Sequence, residues 1–141
     1  MQNEIMDAVT RRLDELFGES CRIYTNNVEQ GLELPCFFVG FLKTDIKPMI
    51  GRRSQWTFDM RIQYIPEDEQ PTEELNRVSE MLLEGMEYIT LSDGSRMRGT
   101  GRNCEISEGV LTFLASFGGF FVRQPDRTEP MEELDVKGAV R

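Results

Sequence analysis

The chain has 141 residues, three cysteines, no histidine, and a net charge of −9 from 25 acids and 16 bases. That length suits one domain, able to bury about 70% of its unfolded surface without a disulfide or metal staple. The lack of histidine excludes Ser-His-Asp and Cys-His nucleophile pairs, HExxH zinc sites and imidazole proton shuttles, while the acidic balance disfavours general binding to nucleic acid or to an anionic membrane.

In chain order, Ile5, Val9, Leu13 and Leu16 recur at steps of three and four. They predict an amphipathic helix from about Asn3 to Phe17, capped by Asn3 and stopped by a left-handed Gly18. A short strand, Arg22 to Tyr24, leads to a polar turn near Asn26-Asn27. The run Cys36 to Leu42 is apolar on both faces and predicts a central strand covered on both sides. Residues Lys43 to Arg53 carry Pro48 and Gly51 and predict a loop. From Trp56 to Tyr64 apolar and polar residues alternate, which predicts a strand with Trp56, Phe58, Met60, Ile62 and Tyr64 buried. Pro66 ends it, and Glu67 to Gln70 form an acidic connector.

Pro71 suits the start of a helix, and Glu73 and Glu74 suit its first turn. Leu75, Val78, Leu82, Met86 and Ile89 form its apolar stripe. Asp93-Gly94 marks a turn. Strands Cys104 to Ile106 and Val110 to Phe117 form a hairpin across Ser107-Glu108-Gly109. Gly118-Gly119 breaks or bulges the chain before Phe120 to Val122. The pattern predicts an α+β fold: a two-layer sandwich, a mostly antiparallel sheet with two helices on one face, and an extended C-terminal arm. Residues 1–123 form the domain, and 124–141 a linker and arm.

None of the chemistry-bearing clusters makes a catalytic, cofactor or metal site. Cys21, Cys36 and Cys104 are odd in number and lack CxxC spacing, so buried reduced thiols in a reducing compartment are expected. Gly99-Thr100-Gly101 lacks the third glycine of a dinucleotide loop and precedes a strand. The acids gather in Glu67-Asp68-Glu69, Glu73-Glu74 and Glu132-Glu133-Asp135, where solvated charge is the simple account, and the spacing of a calcium loop is missing. The expectation is therefore no enzyme and no cofactor. No signal peptide is expected from Met1 to Glu4, nor any stretch near the ~18 apolar residues of a membrane span. Two features ask for a protein partner. The basic loop offers Lys47, Arg52 and Arg53, and the arm offers Met131, Leu134 and Val136; a mobile loop and an arm folded on its own domain are the plain alternatives.

Several segments resemble the tail terminator proteins encoded by Gram-positive prophages and phage-tail-like particles. They are EIMDAVTRRLDELFG from Glu4, RIYTNNVEQGLELPCFFV from Arg22, EGMEYITLSDGSRMRGTG from Glu84, EISEGVLTF from Glu105 and PMEELDV from Pro130. The resemblance implies a ring, commonly a hexamer, that caps the tail tube and stops its polymerisation. Its partners would be further copies of itself, the tail tube protein and, depending on the particle, a sheath protein and a head-side connector. DNA would pass through an acidic lumen without specific binding, with Glu67, Asp68 or Glu69 candidates to line it. Assembly would occur in the bacterial host cytoplasm before incorporation into a virion, tailocin or related contractile system. The alternative is a tail or neck completion protein, or an assembly chaperone, that forms no ring.

Overall fold

The computed structural model describes residues 1–25, 31–123 and 134–135. Its order is α1 (Gln2–Phe17), β1 (Arg22–Tyr24), β2 (Cys36–Pro48), β3 (Arg53–Ile65), α2 (Thr72–Gly85), β4 (Tyr88–Thr90), β5 (Arg96–Ser107), β6 (Val110–Arg123) and β7 (Leu134–Asp135). The sheet runs β1-β2-β3-β6-β5-β4, with β7 paired to the end of β6. Among the described strands only β1 and β2 pair in parallel. This is the α+β fold expected from the pattern.

Both helices lie on one face. Ile5, Ala8, Val9 and Leu13 of α1 and Leu75, Val78 and Leu82 of α2 pack with Phe58, Met60, Ile62 and Tyr64 of β3 and Leu111, Phe113 and Phe117 of β6. The alternation of β3 thus has the predicted sense, with Trp56 half-buried at the end of the row. The other face of the sheet carries Arg61, Gln63, Asp59 and their neighbours and has no helix over it. There Asp59 accepts a hydrogen bond from the Ser116 hydroxyl at 2.5 Å.

Several boundaries differ from expectation. Asn3 lies inside α1, and Met1 takes the cap position without a side-chain bond. Gly18 ends the helix at φ 71° but with ψ −162°, which is extended rather than left-handed helical. The stripe of α2 stops at Gly85, so Ile89 belongs to β4, where its side chain still reaches the core. Strand β5 starts at Arg96, eight residues before Cys104, and Gly118-Gly119 pairs with Thr57 and Trp56 without breaking β6. Gly119 lies where the sheet is tight: a Cβ there would sit 3.2 Å from Met97 Cε.

The predicted loop from Lys43 to Arg53 is largely strand. Strand β2 continues to Pro48, and its register slips between Phe41 and Lys43, leaving Leu42 on a bulge. One extra residue reverses which side chains face the helices. Phe37, Val39 and Phe41 face them before the bulge; Thr44 and Ile46 do after it, opposite Phe58 and Trp56. Nor is β2 covered on both sides. Phe38 stacks on Tyr24 at 5.4 Å on the open face, and Leu42 is 51% exposed.

Candidate assembly surfaces

Beyond Thr44, where Gln2 Nε2 donates to Thr44 Oγ1 at 2.7 Å, strands β2 and β3 extend past the helices. Met49 N–H donates to Arg53 O at 2.9 Å and closes the hairpin around Ile50, Gly51 and Arg52. Gly51 adopts φ 78°, a left-handed position that glycine occupies without Cβ strain. Ile50, beside it, is 92% exposed, and Ile46 is 50% exposed. Under Ile46 the Trp56 ring stacks on Phe58 at 5.9 Å and meets Phe121 edge-on at 6.4 Å. Its Nε1 is buried with no hydrogen-bond partner among the described residues.

The two strands carry the predicted basic residues to one place. Lys47 pairs with Gln55, two residues from Arg53, so Lys47 and Arg53 are diagonal neighbours on the open face. The Arg53 guanidinium lies 5.2 Å from the Phe120 ring centre. Arg52 sits in the exposed connection. Lys43 pairs with Asp45 at 3.3 Å, an exposed bridge of small energetic weight. Of the arm residues, Leu134 lies in β7, paired through the backbone with Arg123. Met131 and Val136 fall outside the described residues.

The opposite end of the sheet is acidic. Tyr64 pairs with Leu111 and Ser107 with Val110, so the exit of β3 and the β5–β6 turn lie together. Glu108 and Gly109 form that turn at φ 52° and 76°, the geometry of a type I′ hairpin. Exposed Glu67, Asp68 and Glu69 follow β3, and exposed Glu105 and Glu108 flank the turn. The twelve steps of β3 separate the two ends by ~40 Å at ~3.3 Å per residue.

Elsewhere the polar groups are already occupied. A groove of about 250 Å³ between α1, the end of α2 and β4 is lined by Arg11, Arg12 and Arg96. Arg11 donates to Thr90 O at 2.9 Å, Arg12 to Gly85 O at 2.8 Å, and Arg96 covers the Tyr88 ring at 4.1 Å. Arg102 donates to Leu83 O at 2.8 Å and Gly99 O at 2.6 Å. The last carbonyls of α2 thus receive guanidinium donors from α1 and β5, although α2 has no base in its own last turn.

The three thiols are free; Cys36 is buried, Cys21 and Cys104 are half-buried, and burial raises the pKa of each. Among the described residues no cluster of three or more potential metal ligands occurs, and no helix is long and apolar enough to cross a membrane.

Sequence reasoning missed the acidic end as a place, because its residues lie on two segments some 40 positions apart that the sheet alone brings together. It also missed Ile46, whose alternation with Lys43, Asp45 and Lys47 was the available signal.

These features define a two-layer α+β domain whose exposed apolar side chains and unpaired charges gather at the ends of one sheet. Residues 4–129 match the family model described as phage tail terminator protein, and the chain belongs to that family. It is accordingly a structural or completion component of a phage tail. No protein of the curated set matches it. Sixteen chains of solved structures do. One of these, whose designation states no function, is 12% identical with a TM-score of 0.41, over 90% of this chain and 99% of that one.

Proposed function

We propose that the chain is a non-catalytic ring subunit that caps the end of the tail tube and stops its polymerisation. The observation that carries this reading is family membership over residues 4–129. The projecting β2–β3 hairpin supports it: exposed Ile46 and Ile50 with the charges of Lys47, Arg52 and Arg53 suit a surface used by another protein. A non-catalytic role fits a chain without histidine whose described residues include no buried charged side chain.

In this reading the subunits are made in the bacterial host cytoplasm and join the finished virion or tail-like particle. The ring meets further copies, the tube protein and, in a contractile tail, the sheath. A hexamer is the ring size carried over from the family resemblance.

The test is electron microscopy of particles from a strain lacking the protein, with tail lengths scored. Overgrown tubes or tails without a finished end support the reading. Tails of normal, uniform length overturn it in favour of an accessory or chaperone role.

A further inference from the structure

Charge is sorted along the long axis of the sheet. Segment 43–53 holds four bases and one acid, while the remaining residues hold 24 acids and 12 bases. Lys47 and Arg52 make no salt bridge with a described residue. Neither do Glu67, Asp68, Glu69, Glu105 or Glu108 at the other end. The two groups cannot satisfy each other within one molecule: ~40 Å of strand separates them, several times the ~8 Å screening length at physiological salt.

A second copy of the chain presents each group with its complement. Both ends also expose apolar side chains beside the charges: Ile50 in the hairpin connection, and Ile106 between Glu105 and the β5–β6 turn. Protein interfaces are anchored by such apolar contacts, while flanking charges set register and the rate of encounter. Because the two ends are different surfaces, contact between them is head to tail. Contacts of that kind close into a ring when successive rotations complete a full turn.

The geometry points to a head-to-tail interface between copies of this chain. The Lys47, Ile50, Arg52 and Arg53 end of one hairpin docks on the acidic end of the next subunit, around Ile106, Glu67–Glu69 and Glu108. This inference rests on the ring reading above and names the surfaces that would build the ring. It gives Glu67, Asp68 and Glu69 a neighbouring subunit to face, in place of the lumen-lining role suggested by composition.

The test uses two triple reversals, Lys47→Glu/Arg52→Glu/Arg53→Glu and Glu67→Lys/Asp68→Lys/Glu69→Lys, made separately and then together in one full-length chain. All six side chains are exposed, so circular dichroism and thermal melting should match the wild type. Each chain is expressed in the strain lacking the protein, and its amount in purified particles and the tail-length distribution are measured. Each separate reversal should lower incorporation about tenfold or more, since like charges then meet across a desolvated contact. The combined chain should recover incorporation and length control, because every reversed end meets a reversed partner on another copy.

Normal incorporation of either separate reversal overturns the interface. So does a combined chain that stays as defective as its parents, the result expected if the hairpin meets the tube protein instead. The strain lacking the protein is scored first. Normal tails there overturn the ring reading itself, a failure distinct from defective tails that the separate reversals rescue as well as wild type does.

Discussion

The Gly99-Thr100-Gly101 motif, which looks like a fragment of a phosphate loop, has a structural reason that can be measured. Gly99 lies buried in β5, where its N–H donates to Glu87 O at 2.7 Å. A Cβ at Gly99 would sit 2.7 Å from Met86 O and 2.8 Å from Phe117 Cε1. The Phe117 ring is fully buried, and the Met86 carbonyl is backbone held between α2 and β4, so neither yields cheaply. Overpacking of this kind costs about 1–3 kcal/mol, and a rigid carbonyl places Gly99→Ala near about 2–3 kcal/mol. For a chain of this length that lowers Tm by about 6–12 °C. Gly118→Ala is the control: it also lies in the sheet, but its nearest atom is Trp56 O at an ordinary 3.5 Å. It should melt within about 0.5 kcal/mol of the wild type. Gly101 separates the second cause. Its added Cβ meets nothing within 4 Å, but it sits at φ 63° where β5 slips register between Thr100 and Asn103. Gly101→Ala should therefore cost about 1 kcal/mol from backbone strain alone. Melts followed by far-ultraviolet circular dichroism decide the matter. Equal Tm values for Gly99→Ala and Gly118→Ala would refute the close approach of β5 to the Met86 carbonyl.

Arg102→Ala should cost about 1–3 kcal/mol in a urea melt, because it removes charged donors from Leu83 O and Gly99 O at the end of α2; Arg102→Lys should recover only part, since one ammonium cannot reproduce the fork. Stability should fall at alkaline pH. Burial raises the Tyr64 pKa well above the usual tyrosine value, and the Glu74 carboxylate that accepts its hydrogen bond raises it further. The native state then keeps a proton that the unfolded chain loses near pH ~10. The contribution is complete below that pH and is lost as pH rises through the folded value. The raised thiols add loss of the same sign beginning nearer pH ~8.5. Tyr64→Phe should remove the part of the slope above pH ~10, and an unchanged slope there would exclude Tyr64 as its source.

The core was legible where one face of an element is buried and the period is clean. Helix α1, the β3 row from Phe58 to Tyr64 and the Ser107–Gly109 hairpin all follow from spacing and turn chemistry. What was not legible depends on partners distant in sequence. The continuation of β2 to Pro48 is fixed by its ladder with β3, and a single extra residue at Leu42 hides the alternation that would have revealed it. Arg96 to Gly101 read as polar and glycine-rich, yet form strand because β6 and β4 pair on either side. Glycine at 118 and 119 suggests a break, but the tight pairing with Trp56 and Thr57 accommodates it. Of the candidate site, the basic residues could be read as a cluster. Their common face with Phe120, and the acidic end that complements them, exist only once the sheet is built.

The same geometry separates stability from assembly. The side chains that hold the helices to the sheet, from Leu13 and Leu82 to Phe113, lie on the stretch of β3 that follows Phe58. Ile50, Arg52 and Lys47 lie beyond that stretch, exposed, with no salt bridge holding Lys47 or Arg52 to the described residues. Truncating Leu13 or Phe113 leaves a cavity, with a cost of about 2–5 kcal/mol, enough to threaten a domain whose whole stability is about 5–15 kcal/mol. Changing the hairpin end removes no core contact and should leave Tm nearly fixed. A variant of Lys47, Ile50 or Arg52 that loses tail incorporation while melting normally therefore reports on a contact with another molecule. A core variant that loses incorporation reports only that the domain has unfolded.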